Sequence, residues 1–175
     1  MEKARPVSLK EIRIRDNFWD KYRRLVREEI LKYQWCAMND QIEGAPKSHC
    51  IENFRIAAGE KQGEFYGAVF QDSDVAKWLE AVAYTLAEKP DKELKKLADS
   101  VIELIGRAQE PDGYFNTYFI LKEPGQRFRN LREGHELYTL GHMIEAAVAY
   151  KRATGEKRFL EIVQKMADLV ANTFG

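Results

Sequence analysis

The chain has 175 residues, with 28 Lys and Arg against 28 Asp and Glu, so its formal net charge at pH 7 is zero. This balance excludes the basic surplus that proteins binding DNA or RNA usually carry. The length fits one domain, residues 1–175, with a sizeable core, and an apolar fraction of 45% excludes a disordered polymer. No apolar run approaches the roughly 20 residues that cross a membrane.

The cysteines and the N-terminal segment indicate the cellular compartment of the protein. Cys36 and Cys50 are too few for a disulfide framework, and their spacing is not that of a CxxC metal clip. The charged N-terminal segment has no continuous apolar stretch of the kind found in secretory signals. We therefore expect a cytoplasmic protein with reduced thiols.

The first third of the chain reads as a lead-in followed by two helices. Residues 1–15 alternate loosely and predict an extended segment. From Asp16 onward apolar residues recur every three or four positions, which predicts an amphipathic helix that ends in a Gly- and Pro-containing loop. Residues 48–59 predict a short helix with Gly59 as its C-cap.

Helical hairpins follow. Asp72, Ser73 and Asp74 form a cluster typical of a helix N-cap, and a further helix is predicted at about 91–109 after a brief connection. The last third predicts two more helices, at about 134–153 and 157–173, joined by a tight turn. The predicted class is therefore all-α.

The segment 110–133 is the longest irregular stretch, and its Asp112-Gly113 pair predicts a turn, with a small hairpin formed by the aromatic residues around it. Successive antiparallel helices alternate direction, so this long loop and the one at 60–71 should meet at one end of the helix array. Long loops inside a compact domain are more often functional than accidental. That end is the candidate site.

The predicted helices also differ in their faces. Those at about 91–109 and 157–173 carry many charges and predict an outer layer, whereas residues 134–150 contain no Lys or Arg. The short helix at 48–59 looks like an inner helix, which would break a strict alternation of inner and outer helices.

One stripe of the predicted 134–150 helix consists of polar side chains that could bind a ligand. At about 100° per residue, His135, Tyr138, His142 and Glu145 share one face. An apolar stripe is predicted on the opposite side, formed by Leu137, Leu140, Gly141, Ile144, Ala147 and Val148. A helix of this kind is typical of the wall of a cavity.

Several interpretations of these polar residues stay open. His135 fits a capping or packed histidine as well as a ligand-binding one. A metal site formed by His135, His142 and Glu145 is conceivable, although the spacing matches neither HExxH nor a standard zinc pattern. Without a metal, the imidazoles can hydrogen-bond a polar ligand.

Asp72 and Asp74 suggest the paired carboxylates of glycoside hydrolysis. Capping of the following helix explains the same two residues and is the interpretation that we favour. The aromatic loops fit either a stacking platform for a sugar or simple hydrophobic anchoring.

A resemblance carries the interpretation further. Three segments stand in order along the chain: QDSDVAKWLEAVAY, AQEPDGYFNTYF and HELYTLGHMIEAAVAY. Together with FWDKYRRLVREEILKYQWCAMND and KSHCIENFRIAAGE, they resemble the beta-L-arabinofuranosidases of glycoside hydrolase family 127. The resemblance extends over nearly the whole chain.

The resemblance implies helical hairpins that form about half of an (α/α)6 barrel. It implies a family that hydrolyses beta-L-arabinofuranosyl linkages with retention, using a zinc-bound cysteine as nucleophile and a glutamate as general acid/base. It also implies that His135 contacts the sugar. Those catalytic groups lie downstream in longer family members, and Cys36 and Cys50 do not match them. Zinc is thus implied for the full-length enzyme, and no catalytic residue or cofactor is assigned to this chain.

We therefore expect a pocket wall for an arabinofuranoside or a related sugar, inactive alone. The predicted substrate-binding residues are His135, His142, Tyr138, Glu145, Asp72 and Asp74. The alternative is a self-standing carbohydrate-binding or homo-oligomeric interaction module. The expected protein partner is either a second copy of the chain or the missing C-terminal half of the barrel.

Overall fold

A computed structural model of the chain describes residues 7–175. Its α-helices are α1 (Asn17–Leu25), α2 (Leu31–Met38), α3 (Cys50–Ala57), α4 (Asp72–Glu88), α5 (Lys92–Ala108), α6 (Thr117–Leu121), α7 (Glu136–Thr154) and α8 (Arg158–Phe174). A π-helical turn, Val26–Ile30, joins α1 directly to α2, and 3-10 helices lie at Leu9–Glu11 and Pro124–Gln126. Between residues 7 and 175 there is no β-strand, so the all-α prediction is confirmed.

The predicted boundaries hold where local capping signals set them. Asp16 begins α1 by accepting hydrogen bonds from Phe18 N at 2.8 Å and Trp19 N at 2.9 Å. Gly59 follows the end of α3 with φ 71°, a left-handed conformation that suits glycine. Of the predicted extended lead-in, residues 1–6 lie outside the described residues, and the rest carries the 3-10 turn at Leu9–Glu11 instead of a strand.

The helices form two rows that alternate along the chain. In one row α2 contacts α4 and α4 packs along α7, while in the other α3 contacts α5 and α5 contacts α8. The expectation that α3 breaks the alternation is wrong, because α3 lies in the outer row beside α5. It is buried like an inner helix because α6 also packs against it. Three hairpins result, half of the six in an (α/α)6 barrel.

The core lies between the two rows. On the α2 side of α4, the Trp78 indole packs 5.2 Å from the Trp35 ring and donates from Nε1 to Leu31 O at 3.0 Å. Where α4 meets α7, fully buried alanines permit close approach of the helices. These are Ala76, Ala83, Ala146 and Ala147. The inner helices are therefore held at fixed spacing.

The two poles of the array are those expected from the connections. The tight turns meet at one end, where Pro90 and Thr154 line one groove. At the other end the long loops meet, with the Phe65 and Tyr118 rings 5.1 Å apart. No helix among residues 7–175 has the length and apolar character needed to cross a membrane.

The hairpin predicted around Asp112-Gly113 is wrong. Asp112 does form a turn, its Oδ1 accepting from Tyr114 N at 3.0 Å. The chain then enters α6, because Asn116 caps it by accepting from Phe119 N at 3.4 Å. Gly113 has φ 98° and presses against α8, where an added Cβ would lie 2.7 Å from Lys165 O.

The apolar stripe predicted on α7 is only partly correct. Leu140 and Ala147 are buried, but Leu137 is 39% exposed, Gly141 is exposed, and Ile144 and Val148 are half-buried. The contacts of α7 with both α4 and α8 rotate and widen its buried face. That face consists of Glu136, Thr139, Leu140, Met143, Ala146, Ala147, Ala149, Tyr150 and Ala153.

Candidate functional site

The candidate site lies on the inner row of helices, at the pole where the long loops meet. A cavity of about 400 Å³ opens there between α2 and α4. Its walls are formed by Gln34, Ala37, Met38, Ser48, Cys50, Asp74, Lys77, Trp78 and Ala81. The mixture of apolar and hydrogen-bonding side chains suits a small polar ligand.

Lys77 connects this cavity to α7. Its Nζ lies 3.0 Å from the Tyr138 hydroxyl oxygen and 3.1 Å from Ser73 Oγ. Because the ammonium donates to the Tyr138 oxygen, the phenolic hydrogen remains free to donate elsewhere. Lys77 was not predicted as a site residue, although its spacing of three from Asp74 and four from Ser73 places all three on one face of α4.

His135 occupies the N-cap position of α7 with φ 54°, a left-handed backbone. Its Nδ1 lies 2.8 Å from Glu133 O. A carbonyl can only accept, so Nδ1 carries the hydrogen and Nε2 of the neutral ring is an acceptor. The ring centroid lies 5.4 Å from that of Phe70, an aromatic residue of the 60–71 loop that the sequence analysis did not single out.

The predicted stripe on α7 is a continuous row. The ring of Tyr138 lies 5.8 Å from that of His135 and 4.6 Å from that of His142, both edge to face. His142 Nδ1 lies 3.2 Å from Glu145 Oε2, although the pair lacks the alignment of a hydrogen bond. The structure thus brings His135, Tyr138, His142 and Glu145 together on one face.

Asp74 belongs to the same surface. It lines the cavity, and its Oδ2 accepts from Gln71 Nε2 at 3.2 Å. Partial burial raises the pKa of Asp74 above its ordinary value, while Lys77 opposes the shift. From its place at the cavity wall, Asp74 can accept a hydrogen bond from a ligand beside the Lys77 ammonium.

Asp72 neither caps α4 nor lines the cavity. The N-cap position of α4 is Gln71, and Asp72 is only 2% exposed. Its two oxygens accept from Thr117 N at 2.7 Å and Thr117 Oγ1 at 2.6 Å. Burial raises the pKa of Asp72 to about 7. The capping prediction is wrong, and Asp72 holds the start of α6 while Asp74 alone of the two lines the cavity.

Cys50 is a poor nucleophile here. Its side chain is fully buried at the cavity wall, and its Sγ accepts from Gln71 Nε2 at 3.0 Å. Burial raises the pKa of the Cys50 thiol to about 11, so the reactive thiolate is scarce at neutral pH.

Metal binding finds no support in the same surface. Among residues 7–175, no three His, Cys, Asp or Glu side chains converge on a common point that could hold an ion. The alternative of a metal site formed by His135, His142 and Glu145 is therefore not adopted. The described residues likewise do not fit the zinc implied for the full-length family, and no chemical step is assigned to it.

Comparison with known proteins gives a consistent result. A family model described as beta-L-arabinofuranosidase, GH127 catalytic domain, matches residues 11–175. The non-reducing end beta-L-arabinofuranosidase of Bifidobacterium longum subsp. longum is 44% identical over an alignment of 180 positions, which covers 94% of this chain and 27% of the relative.

Solved structures agree. A GH127 beta-L-arabinofuranosidase from Geobacillus stearothermophilus T6 superposes with a TM-score of 0.92 at 65% identity, covering 93% of this chain and 26% of that protein. Another GH127 beta-arabinofuranosidase superposes with a TM-score of 0.84 at 35% identity, covering 95% and 27%. The chain thus spans about a quarter of the length of these relatives.

Proposed function

The chain belongs to the GH127 beta-L-arabinofuranosidase family, and from this membership we propose that its inner helices form a binding wall for an arabinofuranoside or a related sugar. The observation that carries the proposal is the row of Phe70, His135, Tyr138 and His142, which Lys77 joins to a cavity of about 400 Å³.

The hydrogen-bonding groups suit sugar hydroxyls. The Nε2 atom of His135 accepts a hydrogen bond, and the hydroxyl of Tyr138 donates one, because Lys77 already donates to its oxygen. Asp74 adds an acceptor at the cavity wall, on the same helix as Lys77. The Phe70 ring offers an apolar face to the C–H groups of a sugar.

Catalysis is not assigned to this chain. Asp72 is bound at both oxygens by Thr117, and Cys50 is a buried thiol. The residues that remain bind and orient a ligand without supplying a nucleophile. We propose that the chain contributes the N-terminal half of the barrel wall and does not hydrolyse a glycoside by itself.

Replacing His135 by Ala tests the sugar site. We expect the variant to bind a methyl or chromogenic beta-L-arabinofuranoside at least about tenfold more weakly, because one hydrogen bond and the contact with Phe70 are lost. Chemical-shift titration of the 175-residue chain measures the affinity even in the millimolar range.

His49→Ala is the matched control. His49 is also a left-handed N-cap, with φ 55° on α3, and its ring lies 4.7 Å from that of Tyr66. An equal loss of affinity in both variants would contradict a specific role for His135. Robust turnover of the chromogenic glycoside by the chain, with or without added zinc, would contradict the proposed lack of activity.

A homo-oligomeric module is the second candidate, and the exposed face of α1 favours it. None of the residues of α1 is buried, and Phe18 is 60% and Trp19 57% exposed, with Tyr22 and Leu25 beside them. Contiguous apolar surface of this kind promotes association. In a complete barrel we propose that the C-terminal half covers this face, and in the chain alone a second copy does so.

Light scattering over a range of protein concentrations tests this candidate. We expect the chain to self-associate at micromolar concentration, and we expect Phe18→Ser to weaken the association several-fold by removing apolar area. The control is Tyr84→Ser, which removes an exposed aromatic ring from α4. A monomer at every concentration would exclude the second candidate.

The thiols bear on the cellular compartment of the protein. Cys36 and Cys50 are both free thiols. A reducing compartment keeps thiols in this form. We therefore propose a cytoplasmic location, which localisation of a tagged chain would test.

A further inference from the structure

Two buried carboxylates occupy equivalent positions in the fold. Asp72 is the first residue of α4, and Glu136 is the first residue of α7. Both bind the 110–133 segment. Glu136 is fully buried, and its carboxylate accepts from the Tyr114 hydroxyl and from Phe128 N, the latter at 2.8 Å. Neither carboxylate lines the cavity between α2 and α4.

We propose that Asp72 and Glu136 are positioning residues, which hold the 110–133 segment so that the imidazole of His135 keeps one orientation and one tautomer. The value of that orientation to a ligand rests on the proposed function. The positioning itself does not depend on any sugar.

The first connection runs from Glu136 to the second half of the segment. Phe128 has a left-handed φ of 57°, and its N–H is held by Glu136. The Phe128 ring lies 5.5 Å from that of Tyr114, edge to face. The Arg127 guanidinium lies 4.1 Å from the centre of the Tyr114 ring and pairs with Glu110 and Asp112. Arg127 thereby holds Tyr114, whose hydroxyl is the other hydrogen-bond donor to Glu136.

The second connection runs from Asp72 through α6. Thr117, bound at two atoms by Asp72, is the first residue of α6, and Phe119 is buried in the same helix. Gly134 lies beside that helix, since an added Cβ would lie 3.1 Å from Phe119 Cζ. The position of α6 therefore restricts the backbone just before His135.

Phe128 and Gly134 lie on either side of the short stretch of backbone that carries the Glu133 carbonyl. Gly134 N donates to Asn130 O at 2.8 Å, and Glu133 N donates to Asn130 Oδ1 at 3.1 Å. Glu133 O then lies 2.8 Å from His135 Nδ1. Because this carbonyl determines which ring nitrogen carries the hydrogen, movement of the 130–134 backbone would change the tautomer of His135.

A purely structural role for the two carboxylates predicts something different. In that case their removal would lower stability without altering the tautomer of His135. Nitrogen-15 NMR of the imidazole distinguishes the two tautomers in the folded chain. Its readout is the ratio of Nδ1–H to Nε2–H forms at a pH where the ring is neutral.

The test compares Glu136→Ala with Glu136→Gln, and adds Asp72→Ala. We expect the Nδ1–H form to dominate in the wild type, and we expect the ratio to fall at least about fivefold in both alanine variants. Glutamine should restore it, since its carbonyl can accept from Phe128 N while its amide donates to the Tyr114 oxygen. Should Glu136→Ala not fold, Tyr114→Phe removes one donor alone and is expected to change the ratio in the same direction.

Tyr150→Phe is the control for general destabilisation. Tyr150 lies further along α7 and donates to Asp99 Oδ1 at 2.6 Å. Wild-type ratios in the folded alanine variants would overturn the proposal, as would an equal change in Tyr150→Phe. Since no sugar is present, a chain that fails to bind arabinofuranosides leaves this result unaffected.

Discussion

The free energy of unfolding is expected to fall by about 3 to 4 kcal/mol between pH 4 and pH 7.5 through one side chain, Asp72. Burial raises its pKa in the folded chain to about 7 from an ordinary value of 3.8. Thr117 opposes the shift by donating two hydrogen bonds, but removal of the carboxyl from water is the larger effect. Ionisation of Asp72 as the pH rises to neutral therefore destabilises the fold at the start of α4.

The direction follows from proton binding. Below pH 3.8 the carboxyl is protonated in both the folded and unfolded chain, so its contribution to stability is fully present. Between pH 3.8 and about 7 the folded chain holds a proton that the unfolded chain has released, and stability falls as the pH rises. Burial also raises the pKa of Glu136, so its contribution has the same sign.

Asp72→Asn isolates this contribution. The amide keeps the shape of the side chain, can accept from Thr117 N and can donate to Thr117 Oγ1. We therefore expect the variant to gain stability relative to the wild type as the pH rises from 4 to 7.5. Urea unfolding at several pH values measures the difference directly.

Asp91→Asn removes the same charge from an exposed N-cap of α5, where Asp91 Oδ1 accepts from Leu94 N at 3.0 Å. It controls for the change in net charge. A difference between Asp72→Asn and the wild type that stays constant across the pH range would show that folding leaves the pKa of Asp72 at its ordinary value, contrary to expectation.

Gly113→Ala should destabilise the chain by about 3 kcal/mol. Two effects add. The backbone φ of 98° disfavours any residue with a Cβ, and that Cβ would lie 2.7 Å from Lys165 O and 2.8 Å from Lys165 C. Both atoms belong to the backbone of α8, so neither can turn aside as a flexible side chain would.

Gly44→Ala separates the two effects. Gly44 has φ 75°, and an added Cβ would meet nothing within 4 Å. This variant should lose only about 1 kcal/mol from the left-handed backbone. Equal losses in the two variants, measured by urea unfolding, would show that α8 moves to accept the new methyl group.

Much of the fold was predictable because the signals are local. Asp16 and Asp91 bind N–H groups two or three residues away, so their roles as caps can be read from neighbouring positions. Asp72 looks like such a cap but binds Thr117, 45 residues further on. Nothing near Asp72 in the chain signals that partner, because docking of the long loop decides it.

The candidate site likewise contains residues that local sequence could predict and residues that it could not. The stripe of His135, Tyr138 and His142 follows from helical geometry alone, and its rings do lie in one row. Lys77 and Phe70 were not predicted, because they lie on α4 and in the 60–71 loop while the residues that they contact lie at α7. Periodicity within one helix cannot indicate contacts between elements. Periodicity within α7 also could not show that both α4 and α8 pack against it, which is why the predicted apolar stripe was misplaced.

The left-handed backbone of His135 has a consequence for any screen that ranks variants by melting temperature. With φ 54°, the position suits glycine better than histidine. A screen for heat resistance would therefore reward the loss of the imidazole, and the same holds for His49 with φ 55°. At these two positions thermal selection and retention of the aromatic ring oppose each other, so a thermostabilised library would lose both imidazoles, including that of His135 in the proposed binding row.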